Sequence, residues 1–254
     1  MYEFICNLLS DKKGGRIFSC FGVWHFIYIF LAIGVAIFAI AKLKNKDQAT
    51  KNKTIKLFIH IAFGLYIADF FLMPFAYGEI DIEKLPFHIC TVTCVACFLS
   101  WHHRVFEKYR AHIALLAFIS NLVYLIYPAG VMWHQVHPLS YRVAQTLIFH
   151  GVMTVYGLLV LLFGEQKLEW KKCYCDVILL VCITAWAMIG NAFYNNEARF
   201  YNWFFVVRDP FYILPANIAP YIMPFVNIAL FFAVETLVYT VFFMIEKSKK
   251  VKGN

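Results

Sequence analysis

Six apolar stretches of this chain each carry a side chain able to do chemistry: His25, Asp69, Cys90, Asn121, His150 and Asn191. A thiol beside an imidazole can act as a nucleophile and base pair for acyl transfer. A carboxylate can orient the imidazole, and asparagine amides can donate hydrogen bonds to a developing oxyanion. His88, two residues before Cys90, adds a second imidazole near the thiol. Such groups are costly in hydrocarbon unless they meet one another, so the elements that hold them decide whether they form a site.

Those elements are helices of a membrane protein. The 254 residues are 62% hydrophobic and 19% aromatic, with a mean hydropathy of +0.66, whereas soluble domains are about half apolar. Apolar runs cover residues 21–41, 57–77, 87–101, 111–127, 143–163, 177–193 and 222–245. A membrane crossing takes about 20 residues, so the run at 87–101 is short for a span. The expected fold is all-α, a polytopic bundle of about seven transmembrane helices over 21–245. An interfacial segment at 1–20 precedes it, with Phe4, Ile5, Leu8 and Leu9 against lipid and a break at Gly14-Gly15, and a basic tail at 246–254 follows. The first run is too long for the apolar core of a signal peptide.

Helix alternation divides the connections into two sets, and sixteen of the 23 basic residues fall in the set that includes Lys42–Lys56 and the C-terminal lysines. The positive-inside rule then predicts an outside N-terminus, a cytoplasmic C-terminus and a multi-pass protein of the cell membrane. The net charge of +8 is accounted for by lysines facing anionic headgroups, so membrane lipids are the expected partners and nucleic acid is not.

At a rise of 1.5 Å per residue, His25 and Cys90 lie about 6 Å, His150 about 10 Å, Asp69 about 12 Å, Asn121 about 9 Å and Asn191 about 3 Å below the outer boundary. Six helices thus deliver a polar group to one layer of the outer half. Cys90, Cys94 and Cys97 share one helical face at i, i+4 and i+7, with His88 roughly opposite Cys90, which makes His88 a poor base for that thiol. Cys90 follows Pro86 near a helix N-terminus, where a thiolate is favoured. His150 has Thr146 and Thr154 on its own face, as expected of a side turned into the bundle. Each of these residues also has a plainer reading: interhelical hydrogen bonding for His and Asn, close packing for Cys94 and Cys97. Asp69 has only histidines as evident partners at its depth.

Other features support rival functions. Cys94-Val95-Ala96-Cys97 could be a redox dithiol, and Cys6 with Cys20 could pair on an oxidising face. His25, Asp69, His88 and His150 could serve a zinc hydrolase, although neither a metal nor another cofactor is expected. Glu235, about 20 Å from the outer surface, could continue a proton or solute path in a transporter or sensor, or be hydrogen-bonded to a neighbour such as Thr236 or His60. His134 with His137, and Cys173 with Cys175, offer too few ligands for a structural metal site. The aromatic and proline-rich stretch at 194–221 is expected to lie at the interface as a lid.

The run Leu85-Pro86-Phe87-His88-Ile89-Cys90, the segment Leu147-Ile148-Phe149-His150-Gly151, His25, and Asn191 ahead of a long loop resemble the YwaF-like bacterial integral membrane proteins. That family is related to an animal ether-phospholipid acyltransferase and, more distantly, to membrane hydrolases of fatty acid esters of hydroxy fatty acids. The resemblance implies a His-x-Cys step whose cysteine is the nucleophile, here His88 and Cys90, and assigns the helix-five histidine to His150. Thr91 departs from the pattern, since many bacterial members are expected to have an acidic residue there. The resulting expectation is a lipid acyltransferase or lipid ester hydrolase. In it Cys90, His150, Asp69, His88 and Asn121 are catalytic, while His25 and Asn191 bind substrate. A transporter or membrane sensor is the alternative, and a zinc hydrolase or thiol redox enzyme a further one.

Overall fold

The computed structural model describes residues 10, 16–78, 80–132, 134–197, 199–210 and 213–252. All regular elements among them are helical. Seven helices carry the apolar runs: α1 (Val23–Leu43), α2 (Gln48–Tyr77), α3 (Ile89–Leu99), α4 (Arg110–Ile126), α5 (Tyr141–Phe163), α6 (Tyr174–Tyr194) and α7 (Ala219–Lys252). Six of them, all but α3, are long and apolar enough to cross a membrane. With 11 residues, α3 rises only about 16 Å, so the expected seventh crossing is a short buried helix. The expected N-terminal interfacial segment and its Cys6 lie largely outside the described residues, and Cys20 is a free thiol.

The chain forms two compact units, one comprising residues up to Pro86 and Cys90–Gln166, the other Phe87–Ile89 and the chain from Lys167 onward. In the first, α5 is the central helix and packs against α4, α2 and α1. Small residues permit the approach. A Cβ on Gly157 would lie 2.7 Å from Phe118 Cβ and 2.8 Å from the Ala114 carbonyl oxygen, and one on Gly151 would lie 3.3 Å from Ala32 Cβ. Association of helices in lipid depends on such close packing, because hydrocarbon provides no hydrophobic drive between them. By contrast α1 presents Phe26, Phe30, Leu31, Ile37 and Phe38 outward, as a lipid-facing helix must.

Local chemistry sets the helix ends. Asp47 caps α2, its carboxylate accepting the Thr50 amide at 3.1 Å and the Thr50 hydroxyl at 2.7 Å, which holds the carboxyl below its usual range. Ser140 caps α5 by accepting the Val143 amide and so fixes the register of the helix that carries His150. Gly78 ends α2 at φ 79°, a left-handed conformation that glycine adopts without a Cβ penalty.

The second unit contains α6, α7 and the turn Trp203–Phe205. A Cβ on Gly190 would lie 2.4 Å from the Phe87 ring, so this glycine lets Phe87 lie on α6 against Trp186 and Trp203.

Candidate functional site

Polar side chains of the first unit meet around α5. Asp69, 2% exposed in its side chain, is paired with Lys84 at 3.2 Å and accepts a hydrogen bond from the Tyr141 hydroxyl at 2.8 Å. The expectation that only histidines could serve Asp69 is therefore corrected. Lys84 lies on the loop beyond α2, and its carbonyl oxygen accepts a hydrogen bond from the Tyr66 hydroxyl of α2 at 3.2 Å. Lys84 also donates to Gln145 Oε1 at 3.4 Å, and the Thr146 hydroxyl donates to the same oxygen at 3.3 Å.

One turn further along α5, His150 Nδ1 lies 2.7 Å from the Thr146 carbonyl oxygen. A carbonyl only accepts, so Nδ1 carries the proton, and in the neutral ring Nε2 is the basic nitrogen. A backbone carbonyl thus orients this imidazole, a role the sequence suggested for the Asp69 or His88 side chain. Asp69 connects to this turn of α5 through Lys84, Gln145 and Thr146. The His150 ring stacks on Tyr124, with centroids 3.9 Å apart and planes at 13°. Cys90, Cys94 and Cys97 are buried free thiols.

Asn121 is fully buried, and its amide nitrogen donates to Ala117 O at 2.8 Å and Ser120 Oγ at 3.4 Å. Its Oδ1 has no hydrogen-bond partner. The group Asn121 offers is an acceptor, which corrects the expectation that it donates to an oxyanion. Next to this cluster Arg142 bridges Asp81 at 3.1 Å and His134 at 3.2 Å. Burial, reinforced by Asp81, pushes the Glu83 carboxyl above its usual range against the opposing charges of Arg142 and Lys84.

His25 is committed to the backbone through both ring nitrogens. Nδ1 accepts the Phe21 amide at 2.9 Å, and Nε2 donates to Leu125 O at 2.8 Å. It ties the start of α1 to the end of α4, where the sequence suggested a substrate contact. His88 and Asn191 belong to the second unit, where they hold one turn. His88 Nδ1 accepts the Phe204 amide at 3.3 Å, while Asn191 accepts the Trp203 amide and donates to the Trp203 carbonyl, both at 3.1 Å. Asn191 gives its remaining amide proton to Ala187 O, so it has no donor left for an oxyanion. Asn227 completes the clasp by donating to Phe204 O at 2.6 Å. The clasp holds Phe204 and Phe205 at φ 53° and 52°, a left-handed conformation that costs about 1–2 kcal/mol per residue outside glycine. The stretch expected to be a lid is therefore tied down by side-chain to backbone bonds, with Asn202 and Asp209 adding several more.

The structure gathers Cys90, Asn121, His150 and Asp69 into one unit, and sequence reasoning missed the residues that connect them: Lys84, Ser120, Tyr124, Tyr141 and Gln145. Helical spacing could have indicated Tyr124, three residues after Asn121 and four after Ser120. Nothing in the sequence marked Lys84. Among the described residues no group of three or more His, Cys, Asp or Glu side chains could hold a metal ion. No curated protein and no solved structure matches the chain. A model described as the TMEM164 family matches residues 20–245, nearly the whole membrane domain that holds this cluster, and the chain belongs to that family of integral membrane proteins.

Proposed function

We propose that the protein is a lipid acyltransferase or lipid ester hydrolase of the cell membrane, with Cys90 as nucleophile and His150 as general base. The observation that supports the reading is the His150 ring, whose Nδ1 is held by the Thr146 carbonyl so that Nε2 is left basic, in the same compact unit as the buried Cys90 thiol. The resemblance to YwaF-like proteins, which implies a relation to an ether-phospholipid acyltransferase, supports it further.

In this reading His150 Nε2 takes the thiol proton, directly or through one water, as Cys90 Sγ attacks the acyl ester carbonyl. The ester C–O bond breaks, the leaving alcohol receives the proton from the imidazolium, and the acyl group remains on sulfur as a thioester. A second lipid hydroxyl then loses its proton to His150 and attacks the thioester. The C–S bond breaks and the thiol is restored. Water in place of the second lipid gives hydrolysis. The Asp69–Lys84 pair acts as a positioning element, because it holds Gln145 and Thr146 on the helix that carries the base. The lysine asymmetry of the loops places this cluster in the outer half, with the N-terminus outside.

The test is comparative lipidomics of cells producing wild type, Cys90→Ala or His150→Ala at matched membrane abundance. Loss of the wild-type change in acyl composition in both variants is expected. A lipid profile that either variant reproduces in full overturns the assignment of its residue.

A further inference from the structure

Two carboxyl side chains and a tyrosine meet in the second unit on α6 and α7. Asp176, in the first turn of α6, is fully buried and accepts a hydrogen bond from the Tyr239 hydroxyl at 2.6 Å. Glu235 lies one turn before Tyr239 on α7, so both project from the same face. Glu235 is 1% exposed, and among the described residues neither carboxyl oxygen has a hydrogen-bond partner. Thr236 and His60, the neighbours that the sequence suggested for it, bond instead to Phe232 O and Lys56 O. Tyr239, one turn from Glu235 and bonded to Asp176, brings the two carboxyl groups into one neighbourhood, and the Trp170 ring packs on Tyr239 at 5.0 Å.

A buried carboxylate without a partner costs several kcal/mol. Two carboxylates in mutual range add repulsion, so such a pair holds a proton between its members. The Tyr239 hydroxyl distinguishes the members, because it donates a hydrogen bond to Asp176 and, among the described residues, nothing comparable serves Glu235. We propose that Glu235 carries an exchangeable proton beside the hydrogen-bonded Asp176–Tyr239 pair, so that α6 and α7 form a proton-binding site distinct in chemistry from the Cys90 cluster. Release of that proton leaves an unpartnered carboxylate beside Asp176 in an apolar setting. The contact between α6 and α7 must then admit water or a cation, or loosen. The second unit thereby responds to proton activity whatever the Cys90 cluster does.

Infrared spectroscopy of the full-length protein in lipid nanodiscs tests this directly. The wild type should show a protonated-carboxyl C=O band that shifts in D2O and is lost reversibly at alkaline pH. Glu235→Gln should remove the band, while Asp176→Asn should keep it and change the pH of its loss. A wild-type protein without such a band, or a band kept in Glu235→Gln and lost in Asp176→Asn, overturns the proposal. Labelling of the wild type with dicyclohexylcarbodiimide, which attacks protonated carboxyls in apolar surroundings, makes the test independent of variant folding. Modification mapped to Glu235 and suppressed at alkaline pH is expected, and modification confined to other residues overturns the assignment.

Discussion

Replacing Lys84 by Met keeps much of the side-chain bulk and deletes the charge that Asp69 faces at 3.2 Å. The carboxylate is then left 2% exposed with the Tyr141 hydroxyl at 2.8 Å. Removing one partner of a buried pair costs about 3–5 kcal/mol. Lys84→Met should therefore destabilise the protein by about 3–5 kcal/mol. Asp69→Asn should cost less, about 1–2 kcal/mol, since the Lys84 side chain is 20% exposed and its ammonium can turn to water. If the two charges act on each other, the double variant should resemble Asp69→Asn and not the sum, a coupling as large as the Lys84→Met loss itself. Reversible unfolding of the four proteins in bicelles measures this cycle. A Lys84→Met loss below about 1 kcal/mol, inside the range of an exposed pair, or strict additivity in the double variant would refute the reasoning.

Gly157→Ala should destabilise by about 1–3 kcal/mol, because its new Cβ meets Phe118 Cβ and backbone atoms that cannot yield, whereas Gly64→Ala, with nothing within 4 Å, should be neutral or gain up to about 1 kcal/mol; thermal unfolding of both in detergent separates them. Glu83 is held above its usual range chiefly by burial, so the folded state binds its proton more tightly than the unfolded state, and this group's contribution to stability grows as pH falls through the raised value and is lost above it. Glu83→Gln should raise stability at pH 7 and flatten the pH dependence between the ordinary carboxylate range and neutrality, as read from melting curves across pH. His25→Ala leaves the Leu125 carbonyl and the Phe21 amide without their imidazole partner and should cost about 1–3 kcal/mol, while residual folded protein keeps its lipid chemistry; loss of that chemistry in fully folded His25→Ala would return His25 to the substrate site.

The helical membrane fold was written in the composition, since 62% hydrophobic residues in helix-length runs admit few other solutions in lipid. Depth along a helix follows from residue number, which is why the sequence suggests a layer of polar groups. Depth is one coordinate, however, and the direction in which a side chain points around its helix is set by neighbours. The polar atoms of His25 and Asn191 are used on Leu125, Phe21 and Trp203 backbone groups. Only tertiary structure could decide that.

The partner of Asp69 shows the limit most plainly. Periodicity places the carboxylate, but Lys84 reaches it from a loop with a flexible stem whose path no pattern encodes. The orientation of His150 likewise depends on the Thr146 carbonyl and the Tyr124 ring, the first a backbone group present at every position and the second a tyrosine unremarkable among 15. The amino-acid types determined that these groups had to be sheltered from hydrocarbon. Which of them shelter one another depended on helix rotation and close packing at Gly151 and Gly157, quantities that belong to the folded chain.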